Sequence, residues 1–227
     1  MSQDKLYPDS VIFDLDGTLI DSVPAIAETL NNIFRPRGIK EFNHEEVKKL
    51  VGFGARWMVG EITKRLEYNI EPSQFDVLMQ EYYEEYLRVS DAFTEVYDDV
   101  YEVLQQLKAL NIKMAICTNK PGPTTKSVLE SQSLIQFFDA VVTENDVDYI
   151  KPDPRHLCHT IEKIGSKLHE SIFVGDSETD MEAASRANVG SIFVTYGYCH
   201  VPIDEIVASK KINSFSQLPK ALIEVYR

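Results

Sequence analysis

Five short runs of almost purely apolar residues place the tightest constraint on how this 227-residue chain can fold. Strands with one solvent-exposed face alternate apolar and polar residues. Strands in a parallel sheet are apolar at nearly every position, because helices cover both faces of the sheet. The five runs are Ser10–Phe13, Lys113–Cys117, 140–143, 171–174 and 191–195. We therefore predict a parallel sheet with helices on both sides.

Helical patterns separate these runs. In 100–110, for example, the apolar residues Val100, Val103 and Leu107 fall on one face of a helix. Further helices are predicted over 124–134, 155–164, 179–188 and 217–226. Strands that alternate with helices at this spacing are typical of a doubly wound, Rossmann-like α/β fold.

One long segment breaks this alternation. Residues 21–93 offer no convincing strand and instead contain helical patterns punctuated by proline and glycine. These patterns cover Val23–Phe34, 45–50, 56–66 and 73–87. We predict a catalytic core of residues 1–20 and 94–227, with residues 21–93 forming an all-helical cap domain.

Bulk composition limits the classes of partner that the protein can bind. A formal net charge of −13 argues against nucleic acid, since phosphate backbones attract basic surfaces. No apolar run approaches the ~20 residues that span a bilayer, and the first residues do not look like a signal peptide. Three scattered cysteines fit a reducing compartment. We expect a cytoplasmic protein that is a monomer or weak homodimer and binds a small molecule.

Polar residues of the kinds used in catalysis and ligand binding follow the predicted strands. In an open α/β sheet, ligands bind at the carboxyl ends of the strands, so residues just beyond each strand should meet at one edge. These residues are Asp14, Asp16, Thr118, Asn119, Lys151 and Asp176. The sequence therefore predicts three carboxylates, a hydroxyl group and an amine at one site.

The first pair of carboxylates fits phosphoryl transfer. Asp14-Leu15-Asp16-Gly17-Thr18 is also ordinary turn chemistry, but a turn does not explain the third carboxylate, Asp176. Clustered carboxylates need a cation, and oxygen-only ligands suit Mg²⁺. A carboxylate can attack phosphorus to form an aspartyl-phosphate, and we assign this role to Asp14. Asp16 is then the acid and base at the leaving group, while Thr118 and Lys151 are candidates to hold the phosphoryl oxygens.

The ordered motifs resemble those of the haloacid dehalogenase superfamily. They are Asp14-Leu15-Asp16-Gly17-Thr18-Leu19, Thr118-Asn119-Lys120, Lys151-Pro152 and Gly175-Asp176-Ser177-x-x-Asp180. The resemblance implies Asp14 as nucleophile, and Mg²⁺ bound by the Asp14 side chain, the Asp16 main-chain carbonyl and Asp176. It also implies an indirect metal contact from Asp180, through a metal-bound water; an acidic residue in the first turn of a helix, favoured by the helix dipole, is the alternative.

Two residues bear on the reaction type. Dehalogenases of this superfamily lack the second carboxylate of the first motif, so Asp16 favours a phosphate ester. Mutases with a similar cap carry an acidic residue before the last motif's aspartate, whereas this chain has Gly175. A beta-phosphoglucomutase-like mutase, a nucleotidase and a pyrophosphatase stay open as alternatives. A catalytically inactive binding protein of the same fold would be expected to have lost at least one motif residue.

The sequence is particularly similar to the phosphoglycolate phosphatase branch, at Thr195-Tyr196-Gly197-Tyr198 and in the cap at Val51-Gly52-Phe53-Gly54. Glycines let backbone amides approach a ligand. We therefore expect Gly52 and Gly54 to contact substrate, with Arg56 pairing a substrate carboxylate. An ordinary interhelical turn and a solvated arginine are the alternatives. The predicted reaction is Mg²⁺-dependent hydrolysis of 2-phosphoglycolate.

Overall fold

Six parallel strands form the central sheet of the protein, which a computed structural model describes for residues 6–68 and 70–227. The strands of the described residues are β1 (Ser10–Phe13), β2 (Ile20–Asp21), β3 (Glu95–Val96), β4 (Lys113–Cys117), β5 (Ala140–Val142), β6 (Ser171–Gly175), β7 (Gly190–Val194) and β8 (Lys210–Ile212). The sheet order is β5-β4-β1-β6-β7-β8. Strand β1 therefore lies at the centre, paired in parallel with β4 and β6.

Helices cover both faces of this sheet. They are α1 (Val23–Phe34), α2 (His44–Lys48), α3 (Ala55–Arg65), α4 (Pro72–Phe93), α5 (Val100–Ala109), α6 (Gly122–Ser131), α7 (Pro154–Lys163), α8 (Glu178–Ala187) and α9 (Leu218–Tyr226). Short 3₁₀ turns occur at Arg35–Arg37, Ile135–Phe137, Leu168–Glu170, Ile203–Glu205 and Phe215–Gln217. None of the helices in the described ranges is both long and apolar enough to cross a bilayer.

Strand β1 shows why the sheet is buried on both sides. Val11 and Phe13 pack into one apolar cluster with α5 and α9, while Ile12 points to a second cluster with α7 and α8. All three side chains are fully buried, as the continuous apolar run requires. The predicted doubly wound α/β fold is confirmed.

Helices α1 to α4 follow one another without an intervening strand, and α1 packs along α4. The two-residue strands β2 and β3 pair antiparallel at the start and end of this helical segment, with Ile20 opposite Val96. We infer from this arrangement that residues 21–93 form the cap and that the β2–β3 ribbon is its attachment to the core. Helix α4 reaches Phe93, six residues beyond its predicted end.

Candidate active site

Asp14 stands directly after β1, at the carboxyl edge of the sheet. Its backbone N–H donates to the carbonyl of Val174 (2.9 Å), which fixes the residue beside the end of β6. The chain then turns sharply, because Gly17 adopts a left-handed conformation (φ +84°) and Leu19 donates back to the carbonyl of Leu15 (3.0 Å). The Asp14 side chain is buried.

The Lys151 ammonium group joins two carboxylates. Its Nζ lies 2.7 Å from Oδ1 of Asp14 and 2.7 Å from Oδ1 of Asp180. Burial alone would lower the pKa of Lys151, but these two carboxylates raise it above its ordinary value. Lys151 is therefore a fixed positive charge. Its position depends on α7, which begins three residues later at Pro154, with Asp153 as its N-cap.

Asp180 is held by the start of α8. Ser177 and Asp180 form a capping box, in which Oδ2 of Asp180 accepts from the Ser177 backbone (3.1 Å) and from its hydroxyl group (2.5 Å). Since Lys151 occupies the other oxygen, both oxygens of Asp180 are already bonded within the protein. This geometry favours an indirect contact of Asp180 with a metal ion over direct ligation.

Asp14, Asp176 and Asp180 each place a carboxylate oxygen within 4.8 Å of the others. Asp176 is fixed by the Thr18 hydroxyl (2.9 Å) and by the backbone N–H of Tyr198 (2.7 Å). Burial, opposed by Lys151, raises the pKa of Asp14 to about 7, and burial together with Asp180 raises that of Asp176. Such a cluster is costly without a cation, and its hard oxygen donors fit Mg²⁺.

Asp16 lies on the other side of the turn from this cluster. Both of its oxygens accept hydrogen bonds from the Lys120 ammonium group, at 2.9 and 3.2 Å. The same ammonium lies over the ring of Tyr86, 4.5 Å from its centre. Tyr86 belongs to α4, so this contact connects the core to the helical segment.

Thr118 and Asn119 follow β4, as predicted. The Thr118 hydroxyl accepts from the backbone N–H of Lys120 (3.1 Å), which leaves its own hydrogen free to donate into the cavity. The Asn119 amide is used differently. It donates to the carbonyls of Gly52 (2.9 Å) and Lys151 (3.0 Å), and its oxygen accepts from the Lys151 backbone (3.0 Å). Asn119 therefore lines the cavity and joins the Lys151 segment to the cap loop.

The cap loop closes one side of the cavity. Gly52 (φ +110°) and Gly54 (φ +87°) both line it. A side chain at position 54 would be strained at this positive φ, and its Cβ would displace the Glu144 carboxylate, whose oxygen lies 2.7 Å from that position.

Arg56, a predicted substrate contact, lies outside the lining of the cavity among the described residues. Arg56 lies in the first turn of α3, where it donates to Asp76 (2.6 Å) and stacks over the Phe75 ring (5.0 Å). It does not line the cavity, because this face of the helix turns towards α4 rather than towards the core.

The cavity itself has a volume of about 50 Å³, space for roughly four water molecules. One wall is polar, with the carboxylates, Thr118 and the two lysines. The opposite wall is formed by cap residues, mainly Val51, Met58 and Tyr82. Three residues of the site were not assigned a role from the sequence: Lys120, Tyr86 and Tyr198. Lys120 stands within a motif but is followed by proline in an ordinary-looking turn, and the two tyrosines come from distant segments.

Comparison with known proteins is consistent with this site. Residues 11–194 match the model of the haloacid dehalogenase-like hydrolase family. A protein named phosphoglycolate phosphatase from Agrobacterium fabrum is 35% identical over 213 residues, covering 94% of this chain and 91% of that protein. One of the same name from Caulobacter vibrioides is 31% identical, covering 94% of this chain and 90% of the relative.

Solved structures agree in fold. A crystal structure of a predicted phosphoglycolate phosphatase from Haemophilus somnus superposes with a TM-score of 0.86 at 25% identity, covering 96% of this chain and 99% of the other. CbbY from Rhodobacter sphaeroides, in complex with phosphate, gives 0.81 at 17% identity over 95% and 99%, which supports the fold alone. The chain belongs to the haloacid dehalogenase-like hydrolase family, and the prediction of a phosphatase of this family is confirmed.

Proposed function

We propose that the protein hydrolyses 2-phosphoglycolate to glycolate and inorganic phosphate, using Mg²⁺. The observation that carries the proposal is the pairing of the buried Asp14 carboxylate with Lys151 (2.7 Å), next to a second aspartate, Asp16, held by its own lysine. This gives a nucleophile, a fixed cation and a separate acid at one strand end. The substrate itself is inferred from the relatives named phosphoglycolate phosphatase.

In the first step, a carboxylate oxygen of Asp14 attacks phosphorus and the bond from phosphorus to the ester oxygen breaks. Lys151 and the Thr118 hydroxyl stabilise the negative charge on the phosphoryl oxygens. Asp16, carrying a proton, gives it to the glycolate oxygen as that oxygen leaves.

In the second step, water attacks the aspartyl-phosphate on Asp14. Asp16 now takes the proton from this water, so it returns to its starting state. The bond between phosphorus and the Asp14 oxygen breaks, which releases inorganic phosphate. The same two carboxylates therefore serve both halves of the reaction.

The Asp14 side chain, the Asp16 carbonyl and Asp176 are the residues that we propose to hold Mg²⁺, with Asp180 in indirect contact. When bound, Mg²⁺ neutralises charge on the transferring phosphoryl group. Asp176 is well suited to this role because Thr18 and Tyr198 orient its carboxylate with one hydrogen bond to each oxygen, which leaves a lone pair on each oxygen for the metal ion.

The cap favours a small substrate. Gly52, Gly54 and Val51 lie against the cavity, whose volume of about 50 Å³ favours a small phosphate ester over a large one. A nucleoside would need the cap to stand open. The mutase alternative is also disfavoured, since any side chain at position 175 would overlap that of Asp180.

The assignment is tested by Asp14→Asn. We expect this variant to lose phosphate release from p-nitrophenyl phosphate and from 2-phosphoglycolate in Mg²⁺, by a factor of about 10³ or more. A variant at an exposed acid, Asp204→Asn, is the matched control and should keep wild-type rates. Retained hydrolysis in Asp14→Asn would exclude Asp14 as the nucleophile.

The substrate is tested separately, with a panel of phosphorylated metabolites that contains 2-phosphoglycolate, sugar phosphates and nucleotides. The highest kcat/KM is expected for 2-phosphoglycolate. A higher value for a nucleotide, or isomerisation of a sugar phosphate without phosphate release, would replace this substrate assignment and leave the family unaffected.

Magnesium binding is tested without catalysis, by thermal unfolding. At a concentration 100 times its dissociation constant, a ligand of the folded state stabilises it by about 2.7 kcal/mol. We expect Mg²⁺ to stabilise the wild type and Asp204→Asn in this way, and Asp176→Asn much less.

The location and assembly of the protein are also inferred. The three cysteines of the chain are free thiols, which supports a reducing, cytoplasmic compartment. We further propose a monomer or weak homodimer, which light scattering over a range of protein concentrations would test.

A further inference from the structure

Among the described residues that line the cavity, Lys120 and Lys151 are the only ones with a permanent positive charge. Lys151 is committed to Asp14 and Asp180. Lys120 contacts only one carboxylate, that of Asp16. An ammonium group has three N–H donors, and the two oxygens of Asp16 use at most two of them. Lys120 therefore keeps a donor for another acceptor.

The Tyr86 hydroxyl group also indicates a ligand site beside Lys120. Tyr86 lines the cavity and is 1% exposed, and its hydroxyl lies close to the Lys120 ammonium and the Thr94 hydroxyl without a hydrogen bond of regular geometry to the rest of the described chain. A buried hydroxyl without a partner costs free energy that a ligand or water must restore. An unpartnered hydroxyl beside a cation with a spare donor is a site for an anion.

The distance from the reacting centre fits 2-phosphoglycolate. Asp16 donates its proton to the ester oxygen of the substrate, and the carboxylate carbon is only two bonds from that oxygen. Lys120 lies 2.9 Å from Asp16 on the side of the cap. A substrate carboxylate would therefore reach Lys120 while the phosphoryl group is at Asp14.

We propose that Lys120 and the Tyr86 hydroxyl together bind the carboxylate of the substrate and so set its specificity. The inference rests on the proposed function, because it assumes an ester whose leaving group is anionic. It assigns to these two residues the role that the sequence suggested for Arg56, which lies outside the cavity. Lys120 comes from the core and Tyr86 from the cap helix α4. Both residues would therefore bind the carboxylate only when the cap is closed.

The test compares two esters that differ in charge, 2-phosphoglycolate and ethyl phosphate. The readout is the ratio of their kcat/KM values in Lys120→Met, Tyr86→Phe and the control Lys126→Met. Lys126 lies on α6, is 73% exposed and has only a distant ion pair with Glu130 (3.8 Å). We expect the ratio to fall about 10- to 100-fold in Lys120→Met and about tenfold in Tyr86→Phe. It should stay at the wild-type value in Lys126→Met.

Equal losses for the two esters in Lys120→Met would overturn the inference, since Lys120 would then act through Asp16 alone. An unchanged ratio in Tyr86→Phe would remove Tyr86 from the site. If Lys120→Met does not fold, Lys120→Gln and Tyr86→Phe decide by the same ratio. As a measurement without turnover, calorimetry in the Asp14→Asn background should show weaker binding of 2-phosphoglycolate, but not of ethyl phosphate, when Lys120 is replaced.

The proposed function and this inference fail in different ways. A wild-type enzyme that prefers another carboxylate-bearing ester, such as 3-phosphoglycerate, would contradict the substrate assignment and still support the carboxylate site if Lys120→Met removed that preference. A wild-type enzyme with equal kcat/KM values for phosphate esters with and without a carboxylate would overturn the carboxylate site, even with phosphatase activity intact.

Discussion

The Lys151 ammonium group lies 2.7 Å from a carboxylate oxygen of Asp14, and both side chains are almost completely buried. When the carboxyl groups of Asp14, Asp176 and Asp180 are all ionised, this cluster holds three negative charges and the one positive charge of Lys151. Two negative charges are then left over, which a divalent cation balances. The pairing therefore explains how an acidic protein with a formal charge of −13 prepares a site for a metal ion and a phosphate together.

Replacing Lys151 by methionine should destabilise the metal-free protein. Removing one partner of a buried ion pair leaves an uncompensated charge, which costs about 3–5 kcal/mol. We expect a loss of this size in the free energy of unfolding, measured by urea denaturation with a chelator present. The control is Lys167→Met, since Lys167 is 67% exposed and pairs with Glu170 at the surface (3.2 Å). Equal effects of the two substitutions would contradict the structural role of Lys151.

The raised pKa of Asp14 should appear as a pH dependence of stability. Burial raises it from 3.8 to about 7, so between these values the folded protein holds a proton that the unfolded chain has lost. The stability contributed by protonated Asp14 is complete below about pH 4 and is lost as the pH rises through 7. The steepest expected loss is about 1.4 kcal/mol per pH unit.

The measurement compares the metal-free wild type with Asp14→Asn, which cannot ionise. Between pH 5 and 8 the free energy of unfolding of the wild type should fall relative to that of the variant. Subtracting the two curves removes the groups that do not interact with Asp14, so the difference reports Asp14 together with neighbours such as Asp176, whose pKa depends on the Asp14 charge. A difference that does not change with pH would contradict the raised pKa, and added Mg²⁺ should flatten the wild-type curve because it favours the ionised form.

Gly17 should be needed for the position of Asp176. Gly17 has φ +84° and a Cβ there would overlap a carboxylate oxygen of Asp176, whereas Gly38 has φ +74° and no atom within 4 Å of its Cβ position. Alanine at either site strains the backbone by ~1 kcal/mol. Only Gly17→Ala should also weaken Mg²⁺ binding, measured as the Mg²⁺ concentration needed for half-maximal activity. The same shift in Gly38→Ala would indicate that strain alone is responsible.

The sequence predicted the core strands and the motif residues well, because both depend on local patterns. A buried parallel strand is apolar throughout, as Val11 and Ile12 show, and residues that follow such strands must meet at one edge. Strand β8 was missed because its Lys210 and Lys211 are exposed on the edge of the sheet. Strands β2 and β3 were missed because two residues carry no periodicity.

Contacts between distant segments could not be predicted from the sequence. Tyr86 meets Lys120 only because α4 packs over the core, and no spacing within either segment predicts this. Arg56 was predicted in the cavity because it follows the glycine loop. A helix beginning at Ala55 rotates successive side chains by about 100°, which carries Arg56 to Asp76 instead. How a helix is rotated about its axis is set by tertiary packing.

Tyr198 connects the metal site to the attachment of the cap. Its backbone N–H binds Asp176 (2.7 Å), while its hydroxyl group donates to Asp21 (2.6 Å) and accepts from the backbone of Ser22 (2.9 Å). Asp21 is the last residue of β2, so the hydroxyl holds one strand of the cap ribbon. Tyr198→Phe removes this contact and leaves the bond to Asp176 unchanged.

We therefore expect Tyr198→Phe to loosen the ribbon and to spare the metal. Amide hydrogen exchange should become faster at residues 20–23 and 95–97, and the free energy of unfolding should fall by about 1–3 kcal/mol, the cost of an unsatisfied buried polar group. The dependence of activity on Mg²⁺ concentration should keep its midpoint. Tyr101→Phe is the control, because the Tyr101 hydroxyl bonds to the carbonyl of Gln132 at the surface. Unchanged exchange at the ribbon would show that the Tyr198 hydroxyl does not restrain the cap, whereas a shifted Mg²⁺ midpoint would show that it also positions Asp176.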